Sequence, residues 1–111
     1  MTNPILKVVF YQNSLGKEPV REWLKSLPAN ERLLIGEDIK TVQYRWPLGM
    51  PLVKLIIAKK KIWEMRINLP NRIARVLFTI SDNYIILLHG FIKKTNKTPK
   101  DDIDLALNRI D

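Results

Sequence analysis

Residues 52–91, LVKLIIAKKKIWEMRINLPNRIARVLFTISDNYIILLHGF, contain the clearest secondary-structure pattern of the chain. Apolar and β-branched residues fill four runs of it, 52–57, 61–69, 72–80 and 84–91, and short turn-like segments separate these runs. The pattern is typical of strands joined by hairpins. We therefore predict four strands in an antiparallel meander, which is the economical topology for connections this short.

The run at residues 61–69 alternates most regularly between polar and apolar side chains. Successive side chains of a strand point to opposite faces of the sheet. Glu64 and Arg66 therefore share one face, which is expected to meet solvent or a ligand, while Trp63 and Met65 share the other.

Before these strands, the sequence predicts a short strand over residues 7–11 and two helices. The first helix contains Pro19 in its first turn, and its apolar residues recur at helical spacing up to Leu27. The second helix runs from about Asn30 to Arg45 and is ended by the proline that follows shortly after. We expect these two helices to form an antiparallel hairpin.

After the strands, the segment Thr98-Pro99-Lys100-Asp101 predicts a last helix, with the Thr98 hydroxyl as its N-cap and the proline in its first turn. The whole chain, residues 1–111, is then a single α+β domain. Its N-terminal helix hairpin and its C-terminal helix are expected to pack on a twisted antiparallel sheet, and two or three helices should cover one face of it.

The composition limits the chemistry that the chain can perform. A chain of 111 residues that is 46% hydrophobic can bury one core. It has no cysteine and one histidine, so disulfides, a thiolate nucleophile and a zinc site are not expected, and we predict no metal and no cofactor. The N-terminus lacks the apolar run of a signal peptide, and no apolar stretch is long enough to span a bilayer. We expect a cytoplasmic protein without membrane contact.

The net charge of +8 is unevenly distributed. Between residues 52 and 100, eleven basic side chains stand against two acidic ones. A basic stretch between near-neutral and acidic ends indicates a surface that faces a polyanion, and nucleic acid is the leading candidate. The alternative, which is favoured for any single lysine, is a solvated side chain that aids solubility.

Three segments follow one another in this region: Lys61–Arg66 (KIWEMR), Arg72–Phe78 (RIARVLF) and Leu87–Pro99 (LLHGFIKKTNKTP). Together with the acid-rich helix after them, they resemble the phage-derived, HigB-like branch of the RelE/ParE superfamily of toxins. The resemblance covers nearly the whole chain from Lys7 onward. It implies a RelE-like fold, in which the concave face of the sheet receives RNA in the ribosomal decoding site.

The resemblance also implies an activity and partners. It implies a toxin of a type II toxin–antitoxin system that inhibits translation by cutting messenger RNA on the ribosome. The cut would need no metal, because the 2′-OH of the RNA attacks the adjacent phosphate and leaves a 2′,3′-cyclic phosphate. The implied partners are the ribosome, the mRNA and an antitoxin, often with a helix-turn-helix domain, through which alone operator DNA would be bound.

Three arginines are candidates for stabilising the charge on the phosphate, because the guanidinium fork meets two phosphate oxygens. We interpret Arg66 and Arg75 as catalytic and Arg72 as RNA-binding. The alternative is that one of them pairs with Glu64 or only borders the sheet.

Proton transfer requires a base for the 2′-OH and an acid for the leaving 5′-oxygen. Glu64 is a candidate base, since it is the lone carboxylate among the cations of its strand. His89 is another candidate, although a histidine in an apolar run is more often a hydrogen-bonded core residue. Lys94 completes the catalytic candidates. We expect alanine at Arg66, Arg75 or Lys94 to reduce toxicity and to leave the protein folded.

The other lysines are candidates for RNA contact. Lys93 and Lys97 belong to the family-like loop and are expected to hold the RNA backbone. Lys59, Lys60 and Lys61 lie at a predicted hairpin tip and could form a second anchor, although a charge run at a turn is usually just solvated.

Two other functions stay open. A ParE-like inhibitor of DNA gyrase would share the fold but act by binding a protein. A non-catalytic RNA-binding module would bind with a steep salt dependence and leave the RNA intact. New mRNA ends within codons would indicate the nuclease, whereas DNA damage and altered supercoiling would indicate gyrase inhibition.

Overall fold

The structure is a computed structural model that describes residues 6–110. The expectation that the N-terminus lacks a signal peptide concerns residues that lie largely outside this range. Each helix in the described part of the chain is too short or too polar to cross a lipid bilayer. The elements of this part are β1 (Lys7–Phe10), α1 (Pro19–Lys25), α2 (Ala29–Arg45), β2 (Val53–Ile57), β3 (Ile62–Asn68), β4 (Ile73–Ser81), β5 (Tyr84–Ile92) and α3 (Lys100–Asn108).

The strands of residues 6–110 form one sheet in the order β1-β5-β4-β3-β2. Strands β2 to β5 pair antiparallel in sequence, which confirms the predicted meander. β1 pairs in parallel with β5, for example Val8 with Ile85, so the sheet is mixed rather than wholly antiparallel. No hairpin joins β1 to β5, and the connection therefore does not force antiparallel pairing. The predicted α+β class, with helices packed on a sheet, is confirmed.

α1 and α2 lie on one face of the sheet and close the larger of two apolar clusters. Ile35 and Val42 of α2 are fully buried there against Met65 and Phe78 of the sheet. Phe78 also stacks on Trp63, with ring centroids 6.1 Å apart. Burial of each such side chain stabilises the fold by about 1.5–3 kcal/mol, so this face is a main source of stability.

α1 approaches β5 closely at Gly90. The indole ring of Trp23 lies where a β-carbon on residue 90 would be, so any larger residue would overlap it. A glycine inside a strand often marks such a close approach. The glycine of the 87–99 segment is therefore explained by the packing of α1.

α3 lies on the opposite face of the sheet, so two helices, α1 and α2, share one face, within the predicted two or three. Its Ala106 packs with Leu77 and Leu88 in the second cluster, whereas Phe78, the next residue along β4, belongs to the first. Arg109 fastens the end of α3 by donating to the Leu88 carbonyl at 2.7 Å. β4 is thus buried on both faces, and a doubly buried strand shows a continuous apolar run that does not reveal which side a helix takes.

The N-cap of α3 also differs from the prediction. α3 begins at Lys100 with Pro99 as its N-cap, and no side chain caps it. The Thr98 hydroxyl donates instead to the Glu64 carboxylate on β3. The segment between β5 and α3, residues 93–99 and hereafter the 93–99 loop, is thereby tied to the sheet.

Candidate functional site

α3 covers only part of its face of the sheet, and a cleft of about 310 Å³ lies beside it. Five charged side chains line this cleft: Glu64 and Arg66 of β3, Arg75 of β4, Lys54 of β2 and Lys97 of the 93–99 loop. Four cationic side chains thus surround one carboxylate. The cleft has the charge and the donors to bind an anion such as a phosphate group.

Glu64 and Arg75 form a buried ion pair at the base of the cleft. They are 5% and 3% exposed, and Arg75 Nη1 lies 3.5 Å from Glu64 Oε2. The same nitrogen donates to Thr98 Oγ1 at 3.0 Å, and the Thr98 hydroxyl donates to the same carboxylate oxygen. Among the described residues these contacts all reach Oε2, so Oε1 is the oxygen that Glu64 offers to a ligand.

Arg75 also holds the 93–99 loop. Its Nη2 donates to the Asn96 carbonyl at 2.9 Å and lies 3.5 Å from the Thr95 carbonyl. Its Nε is buried without a hydrogen-bond partner among the described residues. The enclosed guanidinium of Arg75 fixes the loop and the carboxylate of Glu64. Solvent has almost no access to this guanidinium.

Arg66 is the accessible arginine of the cleft. It lies opposite Arg75 in the pairing of β3 with β4, but its side chain is exposed. Like charges placed opposite each other are unfavourable in a sheet, and the buried carboxylate of Glu64 on the same face offsets part of that repulsion. Arg66 is therefore the guanidinium of the cleft that is open to solvent.

Lys93 lies next to the cleft, in an adjoining depression that shares Asn96 of the 93–99 loop with it. It is half-buried, and it follows Ile92, which faces the opposite cluster, so its side chain lies on the cleft side of the sheet. Burial lowers the pKa of Lys93, and the neighbouring charges of Arg66 and Arg75 lower it further, while Glu64 opposes this. Lys93 thus releases its proton more readily than an ordinary lysine.

Arg72 and Lys94 lie away from the cleft and line the same depression as Lys93. Arg72 makes a two-pronged ion pair with Glu31 of α2, with Nε and Nη2 at 3.0 and 2.6 Å from the carboxylate oxygens. The hydrogen bond from Arg72 lowers the pKa of Glu31 below its usual value. Arg72 therefore joins the sheet to α2, whereas the side chain of Lys94 is exposed.

His89 is not in the cleft. Its Nε2 lies 2.7 Å from Asp102 Oδ1 in the first turn of α3, and its ring stacks on Phe91 with centroids 5.3 Å apart. These contacts fasten the start of α3 to β5. They match the alternative interpretation of His89 as a hydrogen-bonded residue of the packing.

Lys59, Lys60 and Lys61 occupy the turn between β2 and β3, and all three are exposed. They lie before the start of β3, whereas the residues of β3 that line the cleft, Glu64 and Arg66, lie further along the strand. They form a separate cationic tip on the surface.

Three residues of the site were missed in the sequence. Thr98 was interpreted as a helix cap, and Asn96 was not singled out, yet both line the cleft. Their signal was their place in the loop that resembles the toxin family. Lys54 was missed as well, although its register opposite Glu64 puts it on the cleft side of β2.

The chemistry that this arrangement supports is anion binding with proton transfer. Arg66 supplies an exposed fork of donors, Glu64 a fixed carboxylate and Lys93 an ammonium with a lowered pKa. Within residues 6–110, no three His, Asp or Glu side chains are grouped so that they could hold a metal ion.

The fold and the cleft define a small α+β protein with a cleft whose charged side chains are mainly cationic. Residues 22–111 match the family described as Phage derived protein Gp49-like (DUF891), and this chain belongs to that family. The phage-derived character implied by the resemblance is confirmed at this level, and the family is compatible with a toxin-like protein. No curated protein matches the sequence.

Proposed function

We propose that this protein is the toxin of a type II toxin–antitoxin system and that it cuts messenger RNA on the ribosome without a metal. The observation that carries the proposal is the cleft, in which exposed Arg66 lies beside a carboxylate that Thr98 and Arg75 already hold in place. Membership in the phage-derived Gp49-like family supports it, as does the resemblance of the sequence to HigB-like toxins.

The proposed reaction uses the 2′-OH of the RNA as the nucleophile. Oε1 of Glu64 accepts the proton of the 2′-OH while the 2′-oxygen forms a bond to phosphorus. Arg66 binds the non-bridging phosphate oxygens and stabilises the charge that develops on them. The bond between phosphorus and the 5′-oxygen breaks, which leaves a 2′,3′-cyclic phosphate and a 5′-hydroxyl end.

We assign the proton donor for the 5′-oxygen to Lys93. Its lowered pKa favours release of a proton from the ammonium, and the depression that holds it adjoins the cleft at Asn96, which supports the assignment. Lys54 and Lys97, which line the cleft and are exposed, would bind the phosphates that flank the scissile one.

The remaining candidates take supporting roles in this proposal. Lys94 and the lysines at the tip between β2 and β3 are exposed and would bind RNA beyond the cleft by charge alone. Arg72 would do so with the part of its side chain that stays exposed beside Glu31. His89 would hold α3 in place, since Asp102 already engages it.

A purified translation reaction tests the proposal. Programmed ribosomes are incubated with and without the protein, and the mRNA ends are mapped by primer extension. We expect new ends within codons only when both the ribosome and the protein are present. Intact mRNA would overturn the proposal, and a change in DNA supercoiling by gyrase would then identify a gyrase inhibitor.

We further propose a cognate antitoxin encoded next to this protein, with a helix-turn-helix domain that binds the operator. The support is the cationic surface, which suits an acidic or mixed partner surface. The product of the neighbouring gene should co-purify with this protein and stop the cleavage of mRNA. Operator DNA should be bound by the complex and not by this protein alone; binding by this protein alone would contradict the assignment.

A further inference from the structure

Thr98 has a hydroxyl group that performs no role in the helix after it. α3 starts two residues later, with Pro99 as its N-cap and no side-chain cap. The hydroxyl lies instead between two charged groups of the sheet: it donates to Glu64 Oε2 and accepts from Arg75 Nη1 at 3.0 Å. Both donor and acceptor capacities of one small side chain are thus used by the buried ion pair.

The surroundings make this contact specific. Thr98 is 34 positions from Glu64 and 23 from Arg75 in the sequence, so the contact depends on the tertiary fold. Arg75 secures the loop on the same side through the Asn96 carbonyl at 2.9 Å. The β-branched side chain of threonine restricts its χ1 rotation, which keeps the hydroxyl directed at the carboxylate.

We propose that Thr98 is a positioning residue of the cleft: its hydroxyl holds Oε2 of Glu64 so that Oε1 is presented to the substrate. The assignment rests on the proposed function, because it takes Glu64 as the group that accepts the proton of the 2′-OH. Thr98 itself touches no reacting atom. It acts through Glu64, whose second oxygen must meet the 2′-OH at hydrogen-bond distance for proton transfer.

The first test compares two substitutions at Thr98 in single-turnover cleavage on programmed ribosomes. Thr98→Val keeps the shape and removes the hydroxyl, and it should lower the maximal rate about tenfold or more. The ribosome concentration at half-maximal rate should change less than twofold, since the residue positions a reacting group and does not bind RNA. Thr98→Ser keeps both hydrogen bonds and should recover most of the lost rate. Thr41→Val, on α2, is the matched control.

The second test asks whether Thr98 acts through Glu64. Glu64→Gln alone should reduce the rate strongly, and adding Thr98→Val to it should reduce the rate little further, because the group that Thr98 positions is then already disabled. Full additivity of the two losses would overturn the proposal. So would wild-type cleavage by folded Thr98→Val, or a loss in Thr98→Ser as large as in Thr98→Val.

The outcomes separate this inference from the proposed function. If the wild-type protein does not cut mRNA on ribosomes, the proposed function fails and the inference fails with it. If the wild type cuts and Thr98→Val cuts equally well, only the inference fails. Thermal unfolding of each variant is measured first. If Thr98→Val does not fold, it is replaced in the same comparisons by Thr98→Ala, which removes the hydroxyl without adding a methyl group.

Discussion

The face of the sheet under α1 and α2 and the face under α3 bury different kinds of side chain. The first buries an apolar cluster that includes Ile35, Met65 and Phe78, whereas the second adds to a small apolar cluster the charged pair of Glu64 and Arg75. A buried ion pair is often no more stabilising than apolar residues of the same volume. The difference between the faces therefore indicates that the first face is the main source of stability, whereas stability alone does not explain the buried charges of the second.

The largest expected effect is on the apolar face. Phe78→Ala should lower the free energy of unfolding by about 4 kcal/mol, because it removes a fully buried ring and leaves a cavity. Tyr84→Ala, which truncates a ring that is 42% exposed, is the matched control and should cost about 1 kcal/mol or less. Urea unfolding of both variants checks this, and equal losses would contradict the assignment of stability to this face.

The next effect concerns the buried charges. Arg75→Ala should lower the free energy of unfolding by about 3 kcal/mol, because it leaves the carboxylate of Glu64 buried without its cationic partner. The sequence predicts that alanine at this position leaves the protein folded, and the burial of Arg75 adds that the variant should be less stable. Removing both charges, with Arg75→Met and Glu64→Gln together, should restore most of the lost stability in urea unfolding. A double variant as unstable as Arg75→Ala would speak against the pair.

Arg66→Ala should separate activity from stability. We expect the rate of mRNA cleavage to fall about 100-fold, because the main donor to the phosphate is lost. The free energy of unfolding should stay within about 0.5 kcal/mol, since the side chain is exposed. Arg45→Ala, another exposed arginine with the same loss of charge, is the control and should cut at the wild-type rate. Equal activity of the two variants would remove Arg66 from the site.

The smallest effect is a pH-dependent gain in stability. The pKa of Lys93 is lowered in the folded protein, so its charged form is disfavoured relative to the unfolded chain. The folded state thus recovers stability as pH rises through the lowered pKa. Lys93→Met should therefore raise the melting temperature at pH 7 and raise it less at pH 10, while cleavage decreases at least tenfold. A melting temperature that falls at pH 7 would contradict the burial of this charge.

The sequence was sufficient for the elements but not for the arrangement of all of them. The hairpins of β2 to β5 follow from local turns and periodicity, and the structure confirms them. The parallel pairing of β1 and the side taken by α3 are long-range choices. Neither leaves a periodic signal, because β4 is buried on both faces and its apolar run is nearly continuous.

For the site, the alternation of β3 correctly put Glu64 and Arg66 on one face. Arg75 was interpreted as catalytic and Arg72 as RNA-binding; the two are three positions apart, and an odd spacing in extended chain directs them to opposite sides. Counting positions would thus have separated the arginine that pairs with α2 from the one in the cleft. The role of Thr98 was not accessible, since its position before a helix also fits an N-cap.

The central claim is that the cleft cuts RNA by attack of the 2′-OH, and the end groups of the products test it most directly. Messenger RNA fragments released from programmed ribosomes after treatment with this protein are analysed by mass spectrometry. We expect a 2′,3′-cyclic phosphate on the upstream fragment and a 5′-hydroxyl on the downstream one. A 3′-hydroxyl with a 5′-phosphate, or mRNA that stays intact, would contradict it.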